Sequence, residues 1–448
     1  MEPRIVIIGA GPTGLGAAYQ LNKLGYTNWA VYEKNDYIGG LSASFKDNRG
    51  FTWDIGGHIL FSRYSFFDNL LNRLLGNQCS EYERKTYIWM MNSWIPYPFQ
   101  NNIRFLPKKV ALECVMGLIE AQKTERSPSN YKEWLLNVFG TGIAKCFMLD
   151  HNSKLWSYPL EMMDKNWISE RVSVVNVKQV LENMLCERDD VDWGPNTRFK
   201  YPLSGGIGSF FNRFMPYIKE RLYLNKELVE IELQNKRINF QDGSDADYDI
   251  LINTSPLDKF ISSVKGKYPE LGESIKCLEK NGMLMVGIGL EDFCPADKHW
   301  IYFPENNCPF NRVTYLSNYS SNNVPDHTKF CSLMTETTYS RYKTVSKENI
   351  INDIIKGLIN AKAVSKSDEG KIVGTYVIDA EYAYPIPTLK RDEALRFIQT
   401  FLQNNDVYSR GRFGAWKYEI GNMDHSVMQG VECVERLLLG KEESVWTL

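Results

Sequence analysis

The sequence predicts a mixed α/β protein that combines a parallel βαβ unit with a mainly helical insertion and an antiparallel β-sheet domain. Three observations support this fold class. A short apolar run, Ile5–Ile8, leads directly into a glycine-rich turn and an apolar-periodic stretch. Residues 106–186 show helical periodicity, and alternating, strand-like segments follow them. Because the 448 residues exceed the usual size of one domain, we expect a discontinuous first domain with two insertions.

The first element is a buried strand, because Ile5–Ile8 is a continuous run of β-branched residues. A helix follows the turn, with apolar residues recurring from Leu15 to Leu24, and Gly25 ends it. Trp29–Glu33 supplies a second strand and closes a βαβ unit.

The turn between strand and helix has the spacing G-x-G-x-x-G. Gly9 permits a tight bend, Gly11 lets the backbone approach a pyrophosphate, and Gly14 allows close helix packing. Glu33 lies about 20 residues further on, at the end of the second strand, where a carboxylate can bind ribose hydroxyls. The spacing therefore predicts a dinucleotide site but does not separate NAD from FAD.

The remaining elements are less regular. Leu228–Leu233 and Arg237–Phe240 lie within a stretch, residues 222–252, that we interpret as antiparallel strands, and residues 283–337 are also strand-rich. Tyr384–Pro387 is predicted to be a loop, and a final helix is predicted from about His425 to Leu439. The predicted division is 1–80, 193–260 and 389–448 for the nucleotide-binding parts, 81–102 for strands of the sheet domain, 103–192 for the helical insertion and 261–388 for the antiparallel substrate domain.

Composition excludes several classes of protein. Hydrophobic residues make up 43% and charged residues 24%, which rules out a disordered chain, and a net charge of -2 gives no field that would attract nucleic acid or an anionic membrane. The nine cysteines show no C-x-x-C pair, so neither a disulfide framework nor a metal site is expected, and the thiols are expected to be reduced and mostly buried. Without a long apolar run or a signal-peptide pattern, a cytoplasmic location is expected.

Further glycines help to decide between NAD and FAD as the cofactor. Gly39 and Gly40 follow the second strand, and Gly56 and Gly57 precede His58 in a second loop. With this arrangement the chain resembles FAD enzymes that have a glutathione-reductase-like nucleotide fold, a group that includes the amine oxidases. The resemblance favours FAD over NAD.

Longer segments resemble the UDP-galactopyranose mutases, in particular the eukaryotic type. They occur in family order from residue 5 to about residue 438, and such multi-residue blocks are far more specific than a glycine motif. The segments are Gly56–Ser62, Trp94–Asn102, Gly140–Ala144, Trp193–Asn196, Ser409–Gly414 and Trp416–Asn422.

The resemblance implies a reaction. The family interconverts UDP-galactopyranose and UDP-galactofuranose, a precursor for cell-surface glycans, without net redox change. Its reduced FAD forms a covalent N5–sugar adduct while UDP is held as the leaving group. NADPH or NADH could act as external reductant, although the chain shows no second dinucleotide motif.

The resemblance also implies roles for individual residues. Arg171 and Arg312 match the diphosphate-binding arginines, and His58 matches a histidine beside the flavin whose role is conformational and hydrogen-bonding. The implied substrate residues are Phe61, Tyr97, Phe99, Gln100, Phe147, Asn152, Trp156, Asn196, Trp300, Tyr302, Tyr384 and Tyr418. The implied cofactor residues are Gly9, Gly11, Gly14, Glu33, Gly39, Gly40, Gly57, His58, Arg84, Arg412, Asn422 and Met423.

Two residues depart from the family pattern, and three further functions stay open. Met423 stands where glutamine is common, and His151 replaces a different residue beside the nucleoside pocket. The same mechanism could act on a 6-deoxy or N-acetylated sugar nucleotide. The chain could also be an amine-oxidase-like oxidoreductase or a catalytically silent binding protein. The sequence leaves the oligomeric state open.

Overall fold

The computed structural model describes residues 2–123, 127–168, 171–293 and 295–447. Its strands are β1 (Ile5–Ile8), β2 (Trp29–Tyr32), β3 (Ser44–Lys46), β4 (Thr52–Asp54), β5 (Cys79–Glu83), β6 (Thr86–Met90), β7 (Ser93–Pro96), β8 (Arg198–Pro202), β9 (Leu222–Tyr223), β10 (Leu228–Glu232), β11 (Arg237–Phe240), β12 (Asp245–Asp247), β13 (Ile250–Asn253), β14 (Glu279–Glu291), β15 (Trp300–Tyr302), β16 (Arg312–Tyr315), β17 (Phe330–Tyr339), β18 (Ile372–Ile386) and β19 (Val407–Ser409). Its α-helices are α1 (Pro12–Lys23), α2 (Ser65–Leu75), α3 (Lys108–Gln122), α4 (Tyr131–Ile143), α5 (Leu149–Trp156), α6 (Val177–Leu185), α7 (Gly208–Asn212), α8 (Met215–Ile218), α9 (Leu257–Ser262), α10 (Pro269–Ile275), α11 (Ile350–Asn360), α12 (Arg391–Gln403) and α13 (Met423–Leu439).

A parallel sheet with the strand order β19–β13–β1–β2–β9 forms the first layer. Ile5 pairs with Ile250 on one side and with Trp29 on the other, so β1 is central. All of β1 is buried, which explains its continuous apolar run. The α/β fold class is confirmed. The prediction that all strands in residues 222–252 are antiparallel was wrong. Strands β9 and β13 join this parallel sheet, and within this stretch only β10, β11 and β12 pair antiparallel.

The second layer is a large sheet with the order β18–β14–β17–β16–β15–β6–β7. Its neighbours are antiparallel except β15 and β6, which are parallel. Pro96 ends β7, which is an edge strand of this sheet. The prediction of a loop at Tyr384–Pro387 was wrong for its first three residues, which complete β18. Because β18 is the other edge strand, Pro385 can lie opposite Lys280 without removing an internal hydrogen bond.

The predicted helical insertion contains α3, α4, α5 and α6, with a π-helical stretch, Ala144–Met148, between α4 and α5. Helices α3 and α4 approach each other at glycines: a Cβ on Gly140 would lie 2.0 Å from the carbonyl oxygen of Gly117. Buried side chains such as Phe139 and Phe147 fill the core of this part. The division of the chain into domains stays a prediction.

Helices α1 and α13 are in close contact with each other. A Cβ on Gly430 would lie 2.0 Å from the carbonyl oxygen of Thr13, and one on Gly16 would lie 2.4 Å from that of Val427. The predicted final helix is therefore confirmed, beginning at Met423 rather than His425. This contact fixes the first turns of both helices beside one cavity, which Pro12 and Met423 line.

Stability should depend on pH through a buried histidine, His299, that directly precedes β15 of the large sheet. His299 accepts a hydrogen bond at Nδ1 from the Lys85 backbone N–H (3.0 Å), and burial lowers its pKa from 6.5 to about 4. As the pH falls, His299 therefore takes up a proton in the unfolded chain before it does so in the folded protein. The folded state loses stability relative to the unfolded state as the pH falls from 6.5 toward 4. We expect His299 to reduce the free energy of unfolding by about 1–2 kcal/mol between pH 7 and pH 5. Urea unfolding of the wild type and of His299→Gln at both pH values measures it, and identical pH slopes would contradict the assignment.

Candidate active site

The glycine turn has the geometry that a bound pyrophosphate requires. Gly9 adopts a φ of +97°, and a Cβ on Gly14 would lie 1.9 Å from the Gly9 carbonyl oxygen, so α1 packs directly on the turn. Gly11 is the N-cap of α1, and no side chain caps this helix end. The free N–H groups of the first turn are therefore available to an anion.

Glu33 follows β2 and is buried against the same turn, with 5% of its surface exposed. Its Oε2 accepts a hydrogen bond from the Ala10 backbone N–H (2.7 Å), and its Oε1 accepts from the backbone N–H and the side-chain amide of Asn35 (3.0 and 2.8 Å). These contacts hold the carboxylate where it lines the cavity together with Gly11. The position suits recognition of ribose hydroxyls.

The loop Gly56–His58 follows β4 and lies against the large sheet. The Gly57 N–H donates to Glu336 Oε1 (2.7 Å), and a Cβ on Gly57 would lie 2.6 Å from Thr314 Oγ1. His58 Nδ1 is buried and has no hydrogen-bond partner among the described residues. Burial lowers the pKa of His58 to about 3, helped by the charges of Arg412 and Arg312. His58 is therefore neutral near pH 7 and offers an unused ring nitrogen.

Arg171 and Arg412 flank the ring of Tyr418. The Arg171 guanidinium lies 5.5 Å from the ring centroid and donates to Asn422 Oδ1 (3.0 Å) and to the Glu419 carbonyl. Arg412 lies 5.6 Å from the same ring and donates to the carbonyls of Ala383 (3.0 Å) and Gly421 (2.9 Å). Burial, together with the nearby charge of Arg171, lowers the pKa of Arg412. These two cations create a strongly positive region.

Arg312 projects from β16 and has a different environment. Its Nε and Nη2 both donate to Glu336 Oε1, at 2.9 and 2.5 Å. Burial alone would lower the pKa of Arg312, but the adjacent Glu336 carboxylate holds it well above its ordinary value. Burial raises the pKa of Tyr384, so the phenol stays protonated and can donate a hydrogen bond.

One cavity of about 1040 Å³ joins the glycine turn to this cluster of arginines and tyrosines. It brings together most of the residues that the sequence implicated. These are Gly9, Gly11, Glu33, Gly40, Gly57, His58, Phe61, Arg171, Asn196, Trp300, Tyr302, Arg312, Tyr384, Arg412, Tyr418, Asn422 and Met423. Ser169 and Glu170, which precede Arg171, lie outside the described residues, as does Cys294.

The remaining implicated residues do not line the cavity. Two of them contact residues that do: Arg84 donates to Asn196 Oδ1 (2.7 Å), and the Trp156 ring packs 4.9 Å from that of Tyr418. Gly14 and Gly39 shape the turns behind the cofactor region. The others that do not line the cavity are Tyr97, Phe99, Gln100, Phe147 and Asn152.

The residues assigned to a nucleoside pocket form a packed aromatic region behind Tyr302. The rings of Phe99 and Phe147 stack at 4.4 Å, and His151 stacks on Phe147 at 4.8 Å and meets Tyr302 edge-on at 5.2 Å. Asn152 accepts from the Tyr131 hydroxyl (2.9 Å), which satisfies its carbonyl within the protein. The nucleoside assignment therefore stays a prediction.

Glu336 is a cavity residue that the sequence analysis missed. It lies on β17 directly opposite Arg312, and only 1% of its surface is exposed. Glu336 lies within Phe330–Tyr339, a strand of mostly buried residues. Because a buried carboxylate needs a cationic partner, a glutamate in such a strand is a signal that could have identified Glu336 as a site residue.

Similarity to known proteins agrees with this geometry. Residues 7–74 match the NAD(P)-binding Rossmann-like domain. The chain aligns with a crystal structure of reduced UDP-galactopyranose mutase at a TM-score of 0.96 and 39% identity, covering 99% of this chain and 96% of that one. The chain belongs to the UDP-galactopyranose mutase family. Membership of this family supports a flavin mutase.

More distant relatives share smaller parts or only the fold. A probable flavin-containing monoamine oxidase A of Dictyostelium discoideum is 32% identical over 117 residues, which is 26% of this chain and 24% of that protein. A 15-cis-phytoene desaturase of Synechococcus elongatus is 43% identical over 61 residues, 14% of this chain and 13% of its own length. The chain thus spans about a quarter or less of these relatives. A putative protoporphyrinogen oxidase from Exiguobacterium shares the fold at a TM-score of 0.74 and 16% identity, covering 98% of this chain and all of that one.

The residues present fit FAD. The uncapped first turn of α1 and the buried Glu33 suit the adenosine diphosphate half of the cofactor, and the unpartnered His58 Nδ1 marks a polar position at the other end of the cavity. Helix α13 begins at this end, with Asn422 as its N-cap. The Asn422 side chain does not cap the helix, because its Oδ1 accepts from Arg171. None of the helices within the described residues is both long and apolar enough to span a bilayer.

Proposed function

We propose that this chain interconverts UDP-galactopyranose and UDP-galactofuranose with reduced FAD. The observation that carries the proposal is the convergence of Arg171, Arg312 and three tyrosines on one cavity whose other end is an FAD-type glycine turn. When bound and reduced, FAD supplies a nucleophilic N5 for the anomeric carbon of the sugar. Family membership and the Rossmann-like match support the cofactor and the nucleotide-sugar substrate.

The arginines stabilise the leaving group. When the bond between the anomeric carbon and the phosphate oxygen breaks, the diphosphate gains one negative charge, and Arg171 and Arg312 lie in the cavity to receive it. Guanidinium groups match phosphate oxygens with two parallel hydrogen bonds. Tyr384 stays protonated, and we assign it, with Tyr302 and Tyr418, as a hydrogen-bond donor to the same phosphates.

The remaining side chains orient the reactants and limit water. Phe61 and Trp300 line the cavity with apolar surface, and we assign Trp300 and Asn196 to the sugar. His58 is neutral and unpartnered, so we assign it a hydrogen-bonding role beside the flavin rather than that of a general base. NADPH or NADH is proposed as the external reductant, and the product is proposed to feed glycan synthesis.

The reaction itself tests the proposal. Purified holoenzyme is reduced anaerobically with dithionite, mixed with UDP-galactofuranose and analysed by chromatography for UDP-galactopyranose. We expect many turnovers per flavin from the reduced enzyme and none from the oxidised enzyme. Clean reduction without conversion would refute galactose as the sugar, and the same assay with other UDP- and dTDP-sugars would then show whether the chemistry applies elsewhere. Amine-dependent consumption of an electron acceptor would instead indicate an oxidoreductase.

A further inference from the structure

The three guanidinium groups that line the cavity differ in their hydrogen-bond partners. Among the described residues, Arg171 and Arg412 donate to an amide oxygen and to backbone carbonyls. Within the described part of the chain, Arg312 is the one of the three that is paired with a carboxylate. The positive charge that Arg312 presents to the diphosphate is therefore offset by Glu336, whereas Arg171 has no carboxylate partner in the described part of the chain.

A smaller positive charge at the diphosphate site favours the substrate over its leaving group. The diphosphate of a UDP-sugar carries two negative charges, whereas free UDP carries up to a third because its terminal phosphate loses a second proton near pH 6. A site in which Arg312 had no carboxylate partner would favour free UDP over the sugar ester more strongly. Such a site would slow the return of UDP to the sugar, since binding that stabilises the separated state raises the next barrier.

We propose that Glu336 raises the affinity of the diphosphate site for the UDP-sugar relative to its affinity for free UDP. It does so because it offsets the charge of Arg312 while holding the guanidinium group in place. Glu336 is a positioning residue in this role, because it acts through Arg312. This inference rests on the proposed function. A single oxygen, Glu336 Oε1, accepts from Arg312 Nε, Arg312 Nη2 and the Gly57 N–H, so the same contact also holds the loop that carries His58.

Glu336→Gln tests the proposal because glutamine keeps an acceptor oxygen at the same place and removes the charge. In oxidised holoenzyme, isothermal titration should show that the Kd for UDP falls by about tenfold and the Kd for UDP-galactopyranose by about threefold, because an added net charge acts more strongly on the more anionic ligand. A purely structural defect would weaken both. Unchanged or weaker UDP binding, with FAD content intact, would overturn the proposal.

Glu443→Gln is the matched control. The Glu443 side chain is similarly buried and pairs with the buried Arg410 through two 2.6 Å contacts and with Arg436 at 3.0 Å, but none of these residues lines the cavity. This variant should lose a similar amount of thermal stability and bind UDP as the wild type does. A tenfold gain in UDP affinity in Glu443→Gln as well would refute a role specific to Glu336.

Two further outcomes are informative. If Glu336→Gln is unstable alone, UDP should restore it and raise its Tm more than it raises that of the wild type, because the ligand replaces the missing counter-charge; no rescue would overturn the proposal. If the wild type itself fails to bind UDP, the diphosphate site is refuted, and the role of Glu336 falls with it. The wild-type titration therefore separates failure of the proposed function from failure of this inference.

Discussion

Arg312→Ala and Arg171→Ala should each lower kcat/KM by about 10²–10³-fold while FAD stays bound. Each change removes a cation from the place where the departing diphosphate gains charge, and lost transition-state donors of this kind have effects of that size. Steady-state kinetics of the reduced variants, with flavin content measured by absorbance, provides the test. The exposed Arg198, which pairs with Glu81, supplies the control: Arg198→Ala should leave kcat/KM unchanged.

Arg312 needs a second variant, because its removal leaves the buried Glu336 without a cation. We expect Arg312→Ala to be less stable than Arg171→Ala, since an uncompensated buried charge is costly. Arg312→Lys keeps the charge and loses the two-pronged contact, so it should recover stability but not full turnover. Near-normal turnover in both alanine variants would discard the diphosphate assignment.

Gly14→Ala should abolish FAD binding, which is the largest effect that we expect from a single methyl group. The added carbon would lie 1.9 Å from the Gly9 carbonyl oxygen and 3.4 Å from Ile7 Cγ2, so α1 must move away from β1. That movement withdraws the uncapped N–H groups of the helix from the pyrophosphate. Flavin absorbance of the purified variant and its Tm with added FAD measure the loss.

Gly272→Ala is the control for this change. Gly272 lies within α10 and has open space around its Cα, so alanine should be tolerated and should stabilise the helix slightly. Its FAD content should equal that of the wild type. Full FAD occupancy in Gly14→Ala would contradict the assignment of the first turn as the pyrophosphate site.

Features set by neighbouring residues could be predicted from the sequence, and features set by long-range pairing could not. The apolar run of β1, the spacing of Gly9, Gly11 and Gly14 and the offset to Glu33 are local, and the structure brings them together as the motif requires. The Arg171 and Arg312 assignments came from family resemblance, and their convergence on one cavity could not be derived from spacing.

The missed and mistaken features share one physical cause. Glu336 meets Arg312 only because β16 and β17 pair in a particular register, and no pattern around either residue states that register. Tyr384 was placed in a loop because prolines follow it, yet the edge position of β18 tolerates them. Likewise, β9 and β13 join the parallel sheet through partners that are distant in sequence.

The central claim is that this protein catalyses an isomerisation that needs reduced flavin but consumes no electrons. The most direct measurement follows flavin absorbance in a sealed anaerobic cuvette while the reduced enzyme converts UDP-galactofuranose, with no electron acceptor present. We expect the flavin to be still reduced at the end, after many product molecules have formed per flavin. Product equal to the flavin present, with the flavin reoxidised, would contradict it.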